Sequence, residues 1–274
     1  MVSFKGDLLL GKTALITGAS GLLGPRHARA LASSGADLIL IDIDDKKLNL
    51  VKDKILTEFP NIDTQSFLVD ITDFKLISEL ADNLNNKGKK VDILINNAAL
   101  NPKMKNDSEF SGRVEDYDMD LWHSEINVGL TGSFICSRVF GEMMKINGSG
   151  VIVNISSDLA IRAPDQRVYS PTETFDDIKQ FKPIGYSVVK TALIGMTKYL
   201  AEYWGRFGIR VNALLPGGVL DGQQEHIIKN VEKRTLLGRW ANIDEYEDAI
   251  VFLSSDASAY MTGQSIIIDG GRSV

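Results

Sequence analysis

The sequence predicts a doubly wound α/β protein, with one seven-stranded parallel sheet covered by helices on both faces. Three observations predict it. Seven short runs rich in Val, Ile and Leu recur along the 274 residues: KTALIT (12–17), DLILID (37–42), TQSFLVD (64–70), VDILIN (91–96), GVIVNIS (150–156), IRVNAL (209–214) and SIIID (265–269). Segments of helical periodicity separate them, and such alternation marks parallel strands joined by crossover helices. Most of the runs are apolar throughout rather than alternating, as in strands buried on both faces. No repeat, low-complexity tract or Pro/Gly-rich linker divides the chain, so residues 1–274 are expected to form a single domain. Two polar segments, near 100–118 and 158–184, exceed ordinary connection lengths and are expected to be long loops on the side of the sheet where ligands bind.

Composition narrows the function classes. The chain is 44% hydrophobic and 24% charged, the balance of an ordinary globular protein. A formal charge of -6 without a Lys/Arg cluster gives no footprint for nucleic acid or an anionic membrane. The N-terminus holds no apolar run of signal or membrane-span length, so a cytoplasmic location is expected. Cys136, the single cysteine, lies in the apolar stretch SFICSRVF and reads as a buried, inert thiol. His27, His123 and His226 are scattered without ligand spacing, which argues against a metal site. Each histidine is expected at the surface or as a satisfied structural residue. The expected partners are a small-molecule substrate and further copies of the chain.

TGASGLLG (17–24) falls between the first strand and a helix, where a dinucleotide pyrophosphate needs glycines and a helix N-terminus. This makes the sheet Rossmann-type. Gly18 permits the tight turn, Gly21 lets backbone approach the phosphates, and Gly24 lets the helix pack on the strand. Ser20, Leu22 and Leu23 complete the turn, and Pro25 suits the first helical position. Asp42 ends the second strand, 24 residues after Gly18, where a carboxylate accepts the adenosine ribose hydroxyls of NAD. A 2′-phosphate there would meet Asp42 with Asp44 and Asp45 nearby, and no Arg or Lys stands at Ile43 or in TGASG. NAD is therefore expected over NADP. Tyr186 and Lys190 are four apart, on one helical face, where an ammonium can lower the phenol's pKa towards that of a general base.

TGASGLLG, Asp70 in VDITD, Asn96-Asn97-Ala98-Ala99, Asn127 in INVGLTG, Ser156-Ser157 in IVNISS, YSVVK (186–190), Pro216-Gly217-Gly218 and the ending TGQSIIIDGG together resemble the short-chain dehydrogenase/reductase superfamily, over nearly the whole chain. The resemblance implies that Tyr186 is the acid/base and that Lys190 lowers its pKa and holds the nicotinamide ribose. It implies that Ser157 rather than Ser156 binds the substrate oxygen, and that Asn127 completes a water-linked proton relay. By the same resemblance Asp70 and Ile71 contact the adenine, Asn97, Ala98 and Ala99 lie beside the cofactor, and Pro216, Gly217 and Val219 flank the nicotinamide. The long helices 120–146 and 186–206 imply a dimer or tetramer.

The pattern departs from the family at Ala99, at Leu220 and Asp221, in the glycine spacing of TGASGLLG, and in the 28 residues between Ser157 and Tyr186. That insertion carries Arg162, Asp165, Gln166, Arg167, Tyr169, Lys179 and Lys182, a set suited to a hydroxyl-rich or anionic substrate. Arg162 and Arg167 are the expected substrate contacts. The run SDLA…APDQR…YS also resembles a branch linked to bacterial surface-glycan and flagellin modification. The expected activity is NAD-dependent interconversion of a secondary alcohol and a ketone on a sugar, polyol or sugar derivative. The alternatives are an NAD-dependent nucleotide-sugar epimerase or dehydratase, which the short C-terminus disfavours, and a non-catalytic NAD-binding regulator.

Overall fold

The computed structural model describes residues 6–101 and 111–274; part of the first polar segment, 102–110, lies outside them. In chain order the elements are β1 (Thr13–Thr17), α1 (Gly24–Ser33), β2 (Asp37–Asp42), α2 (Asp45–Glu58), β3 (Thr64–Leu68), α3 (Phe74–Asn86) and β4 (Ile93–Asn96). There follow α4 (Met119–Ile126), α5 (Ser133–Asn147), β5 (Gly150–Ile155), α6 (Ile184–Gly205), β6 (Ile209–Pro216), α7 (Glu225–Glu232), α8 (Glu247–Ser254) and β7 (Ser265–Ile268). The strands form one parallel sheet in the order β3-β2-β1-β4-β5-β6-β7. All seven predicted strands are present, most a residue or two shorter and β6 longer.

The core follows from strand alternation, because neighbours along a strand point to opposite faces. Ile16, Leu38 and Leu40 pack with Leu31 of α1, Leu48 of α2 and Ile250 of α8. Leu15, Ile39 and Ile41 pack on the other face with Ile77 of α3, Phe140 of α5 and Trp204 of α6. Strand order reverses between β1 and β4, so their adjacent carboxyl ends diverge into a crevice where such sheets bind ligands.

Two sequence expectations need correction. The helix expected over 120–146 is interrupted by a π-helical stretch, Asn127–Gly132, between α4 and α5. His27 is neither exposed nor satisfied. It is fully buried on α1, both ring nitrogens lack a hydrogen-bond partner, and burial lowers its pKa to about 4. Cys136 is buried as expected. The 158–184 segment is folded into two short 3-10 turns, Asp158–Ala160 and Gln166–Tyr169, rather than left as a bare loop. Among the described residues no helix is long and apolar enough to cross a membrane, and no cluster of His, Cys, Asp or Glu has the makeup of a metal site.

Candidate active site

The turn after β1 is shaped by close backbone approach. Gly18 has φ +60°, and a Cβ there would lie 2.7 Å from Ala98 Cα in the segment after β4. Asn97 clamps the same turn, its Nδ2 donating to the carbonyls of Thr17 at 3.0 Å and Gly18 at 2.8 Å. Thr17 Oγ1 accepts from the backbone N–H groups of Asn97 and Ala98 at 3.0 and 3.1 Å. Asp42 Oδ2 accepts from Ser20 N at 2.9 Å, which ties the strand-end carboxylate to the loop.

Helix starts separate this turn from its neighbours. Asp44, Asp73 and Asp118 cap α2, α3 and α4 by accepting backbone N–H groups. At α1 the capping position is Leu23, and no side chain caps it. The first N–H groups of a helix need an acceptor. At α1 a pyrophosphate between Gly18 and Gly24 would be one, so the residues present fit a dinucleotide. Asp70 is exposed at the neighbouring strand end, where Oδ1 accepts from Thr72 N and Oγ1, and Ile71 is buried against Gly132.

The catalytic candidates converge at the carboxyl ends of β5 and β6. Ser156 Oγ donates to the Lys190 carbonyl at 2.7 Å, so that hydroxyl anchors α6. Ser157 Oγ donates to Asp158 Oδ1 at 3.0 Å and lies beside the Tyr186 phenol. Lys190 Nζ donates to Ile155 O at 2.6 Å and lies 5.5 Å from the centre of the Tyr186 ring. Lys182 faces the same ring from 4.4 Å, with its ammonium on Asn101 Oδ1 at 2.6 Å and its backbone N–H on Gln166 Oε1 at 2.8 Å. A buried polar ladder, Asn96 to Asn154 at 2.8 Å and Asn154 to Thr197 at 2.8 Å, fixes β4, β5 and α6 together beneath this group.

Burial acts on the phenol and the lysines in opposite senses, since it disfavours whichever form is charged. It raises Tyr186 to about 12 and lowers both Lys182 and Lys190 to about 8. The expected lowering of Tyr186 is therefore not supplied by the folded chain alone.

Asn127 makes no hydrogen bond to Ser157, Tyr186 or Lys190. On the same helix Glu125 packs against Gly185 and Gly129 against Val189, so positions 125 and 129 face α6. Asn127 lies two residues from each, exposed, at the start of the π-helical stretch. The residue facing the turn that carries Lys190 is Gly129, which has no side chain to offer a relay.

The two predicted substrate arginines separate. Arg162 lies beside the site, with Nε donating to Asp158 Oδ2 at 3.0 Å and Nη2 paired with the same oxygen. Arg167 turns to Asp165, with Nε and Nη2 each at 2.9 Å, on a side chain 57% exposed. Pro216 is buried, Gly217 packs on Asp269, and buried Val219 bridges to Ala241 in the region after β6. Ala99 is half-buried after β4. Sequence reasoning missed Asp158 and Arg272. The signals were present: an acid directly after the serine pair, and an arginine directly after the last strand's two glycines.

A glycine turn with an open helix start beside a half-buried Tyr and a buried Lys and Ser defines a nicotinamide-cofactor oxidoreductase. Residues 12–173 match the family model described as short chain dehydrogenase, and residues 178–273 match that described as Enoyl-(Acyl carrier protein) reductase. The chain is 31% identical over 269 residues to 2-dehydro-3-deoxy-D-gluconate 5-dehydrogenase of Bacillus subtilis (strain 168), covering 96% of this chain and 95% of the relative. A short chain dehydrogenase of Leptospira borgpetersenii with bound NAD+ is 31% identical, with a TM-score of 0.82 over 100% of this chain and 97% of that one. A gluconate 5-dehydrogenase of Burkholderia cenocepacia in complex with NADP and tartrate is 27% identical, with a TM-score of 0.83 over 96% of each chain. The chain belongs to the short-chain dehydrogenase/reductase family. It is an NAD(P)-dependent enzyme acting on CH–OH groups.

Proposed function

We propose that this enzyme, acting as a single domain over residues 1–274, interconverts a secondary alcohol and a ketone on a sugar, polyol or sugar derivative. The observation that carries the reading is the contact of Ser157 with the Tyr186 phenol, at the edge of the sheet that also holds the glycine turn. Tyr186 takes the hydroxyl proton of the alcohol and returns it to the ketone. Ser157 holds the reacting oxygen by turning its single hydroxyl proton from Asp158 to that oxygen. The cations of Lys182 and Lys190 face the ring and oppose the burial that disfavours a phenolate. A bound nicotinamide supplies the hydride acceptor or donor. Gly18, Ser20, Gly21, Leu22 and Leu23 would hold its pyrophosphate, with Gly21 rather than Leu22 against it, and Lys190 its ribose. Asp70, Ile71, Asn97, Ala98, Ala99, Pro216, Gly217 and Val219 would line its remaining length.

NAD is the favoured cofactor. Asp42 accepts three backbone N–H groups, from Ser20, Ile43 and Asp44, which hold a carboxylate where a 2′-phosphate would sit. The sugar-like substrate is supported by the names of the Bacillus and Burkholderia relatives. Phe134 on α5 and Val188, Tyr199 and Tyr203 on α6 are exposed, which supports a dimer or tetramer through these helices. A cytoplasmic location fits this reading. The test follows NADH absorbance with each nicotinamide cofactor and a panel of polyols and sugar acids. Tyr186→Phe should cost about 10²–10⁴-fold in kcat while leaving NADH binding intact. Turnover that survives the substitution sinks the assignment, and a kcat/KM favouring NADP sinks the cofactor choice.

A further inference from the structure

The charges around Tyr186 do not balance. Arg162, Lys182, Lys190 and Arg272 surround a site whose one carboxylate in contact with the catalytic group, Asp158, is 3% exposed and already bound by Ser157 and Arg162. Glu125 is also buried nearby, where it accepts from Tyr117 at 2.5 Å and faces Lys182, so two carboxylates stand against four cations. Cations partly withdrawn from water in excess of their counter-ions are costly, and a site that maintains them is arranged for an anion that arrives from outside.

Of the four cations, three have partners within the chain. Arg162 is paired with Asp158, Lys190 donates to Ile155 O, and Lys182 donates to Asn101. Arg272 differs. Its Nε is buried with no hydrogen-bond partner, and among the described residues its guanidinium has no ion pair. The chain is turned to bring it there. Gly270 and Gly271 have φ of +67° and +83°, a left-handed bend after β7 that residues with a Cβ rarely adopt. Gly270 packs on Thr235, Gly271 packs on Leu236, and Gly271 N donates to Asp269 Oδ1 at 2.9 Å. The bend stands beside the end of β6, where Gly217 N donates to Ile268 O at 2.8 Å. Arg272 thus sits at the carboxyl edge of the sheet, within electrostatic range of Asp158, Arg162 and Tyr169. Tyr169 in turn neighbours Tyr186, and its ring packs on Val168, Ile227 and Val231. Its hydroxyl makes no hydrogen bond among the described residues. Two donors, one guanidinium and one phenol, are therefore left without partners beside Asp158 and Tyr186.

We propose that Arg272 and Tyr169 form an oxyanion subsite, and that the substrate is a polyhydroxy acid whose carboxylate is held there while its secondary alcohol reaches Tyr186. The proposal rests on the reading of Tyr186 and Ser157 as the reacting centre. A guanidinium binds a carboxylate through two parallel N–H donors, which fixes the orientation of a flexible chain as well as its charge. The unpaired guanidinium supplies these donors. A neutral polyol would leave it unsatisfied. A phosphate would satisfy the same donors, so the two sources of oxyanion are separated by experiment.

The test compares D-gluconate, D-glucitol and D-glucitol 6-phosphate, which share a six-carbon polyol chain. Binding to the enzyme–NADH complex is read by nicotinamide fluorescence at fixed ionic strength, for wild type, Arg272→Met and Arg272→Lys. Gluconate should bind wild type at least 10-fold more tightly than glucitol. In Arg272→Met that ratio should fall to near one with glucitol binding unchanged, and Arg272→Lys should recover part of it. A wild type with no preference for gluconate, or a preference that persists in Arg272→Met, overturns the subsite. Tighter binding of the phosphate than of gluconate overturns the carboxylate. Oxidation is scored separately: a binding preference without NADH formation from any probe counts against the reaction assigned above and leaves the subsite standing.

Discussion

Around β1 and β4 the carboxyl edge of the sheet is built from backbone and small side chains, whereas around β5, α6 and β7 it is built from buried charge. In the first region Gly18 sits against Ala98, the Asn97 amide holds the turn, and the start of α1 is uncapped. In the second region Tyr186, two lysines and two arginines crowd one carboxylate. The difference teaches how each half binds. On the proposed reading, backbone donors meet a ligand part that never varies, the pyrophosphate, and tolerate almost no change of shape. Long charged side chains recognise the part that distinguishes one substrate from another, and their cost is electrostatic.

The sharpest way to break the comparison is Arg162→Ala. It leaves Asp158 buried without its cation, and removing one member of a buried pair costs about 3–5 kcal/mol. Denaturant unfolding should show that loss, kcat/KM should fall, and NADH binding to the folded fraction should persist. Should cofactor binding fail instead, the two regions are not separable. Gly18→Ala tests the other half. A Cβ at φ +60°, 2.7 Å from Ala98 Cα, should cost about 1–3 kcal/mol of stability. NADH affinity should drop more than the affinity for any substrate probe, by fluorescence titration. An alanine variant with unaltered NADH affinity would show that this backbone is not the cradle.

His27 separates the regions by pH. It is buried behind the glycine turn on α1, with a pKa near 4 against an ordinary 6.5. Between those values the unfolded chain binds more protons, so stability falls as pH drops through the window and is unaffected above it. His27→Leu should remove that slope, leaving the variant about 2 kcal/mol ahead at pH 4.5 and near parity at pH 7. Thermal unfolding at the two pH values decides it, and equal acid sensitivity in both proteins would show that His27 finds a partner in solution.

The same contrast explains what was legible in the sequence. Strand runs and the glycine turn are local patterns, and backbone chemistry is carried by residues adjacent in sequence. All seven strands and the glycine turn could therefore be read directly, as could the placing of Tyr186 and Lys190 one helical turn apart. Side-chain direction is not local. Asn127 lies in the expected segment, but the π-helical stretch that begins there changes the helical spacing, and the sequence carries no sign of that break. Arg272 lies far in sequence from every residue it neighbours in the site, and only the bend at Gly270 and Gly271 brings it there. His27 read as an ordinary histidine because nothing in its local sequence reports that the whole side chain is covered.

Arg167 gives the smallest expected effect and the cleanest check on side-chain direction. Its guanidinium is bound to Asp165 on the outer surface of the 158–184 segment, and that carboxylate is also held by Arg234 at 2.9 Å. Loss of Arg167 thus leaves Asp165 with a cation and removes one exposed ion pair, which is worth under about 1 kcal/mol. Arg167→Ala should keep kcat/KM on sugar acids within about twofold of wild type and leave the denaturant midpoint almost unmoved. Measured beside Arg162→Ala, it asks whether two arginines five residues apart divide between the charged site and the solvent. A tenfold fall in kcat/KM for Arg167→Ala would bring that side chain over the substrate and make the outer turn part of the site.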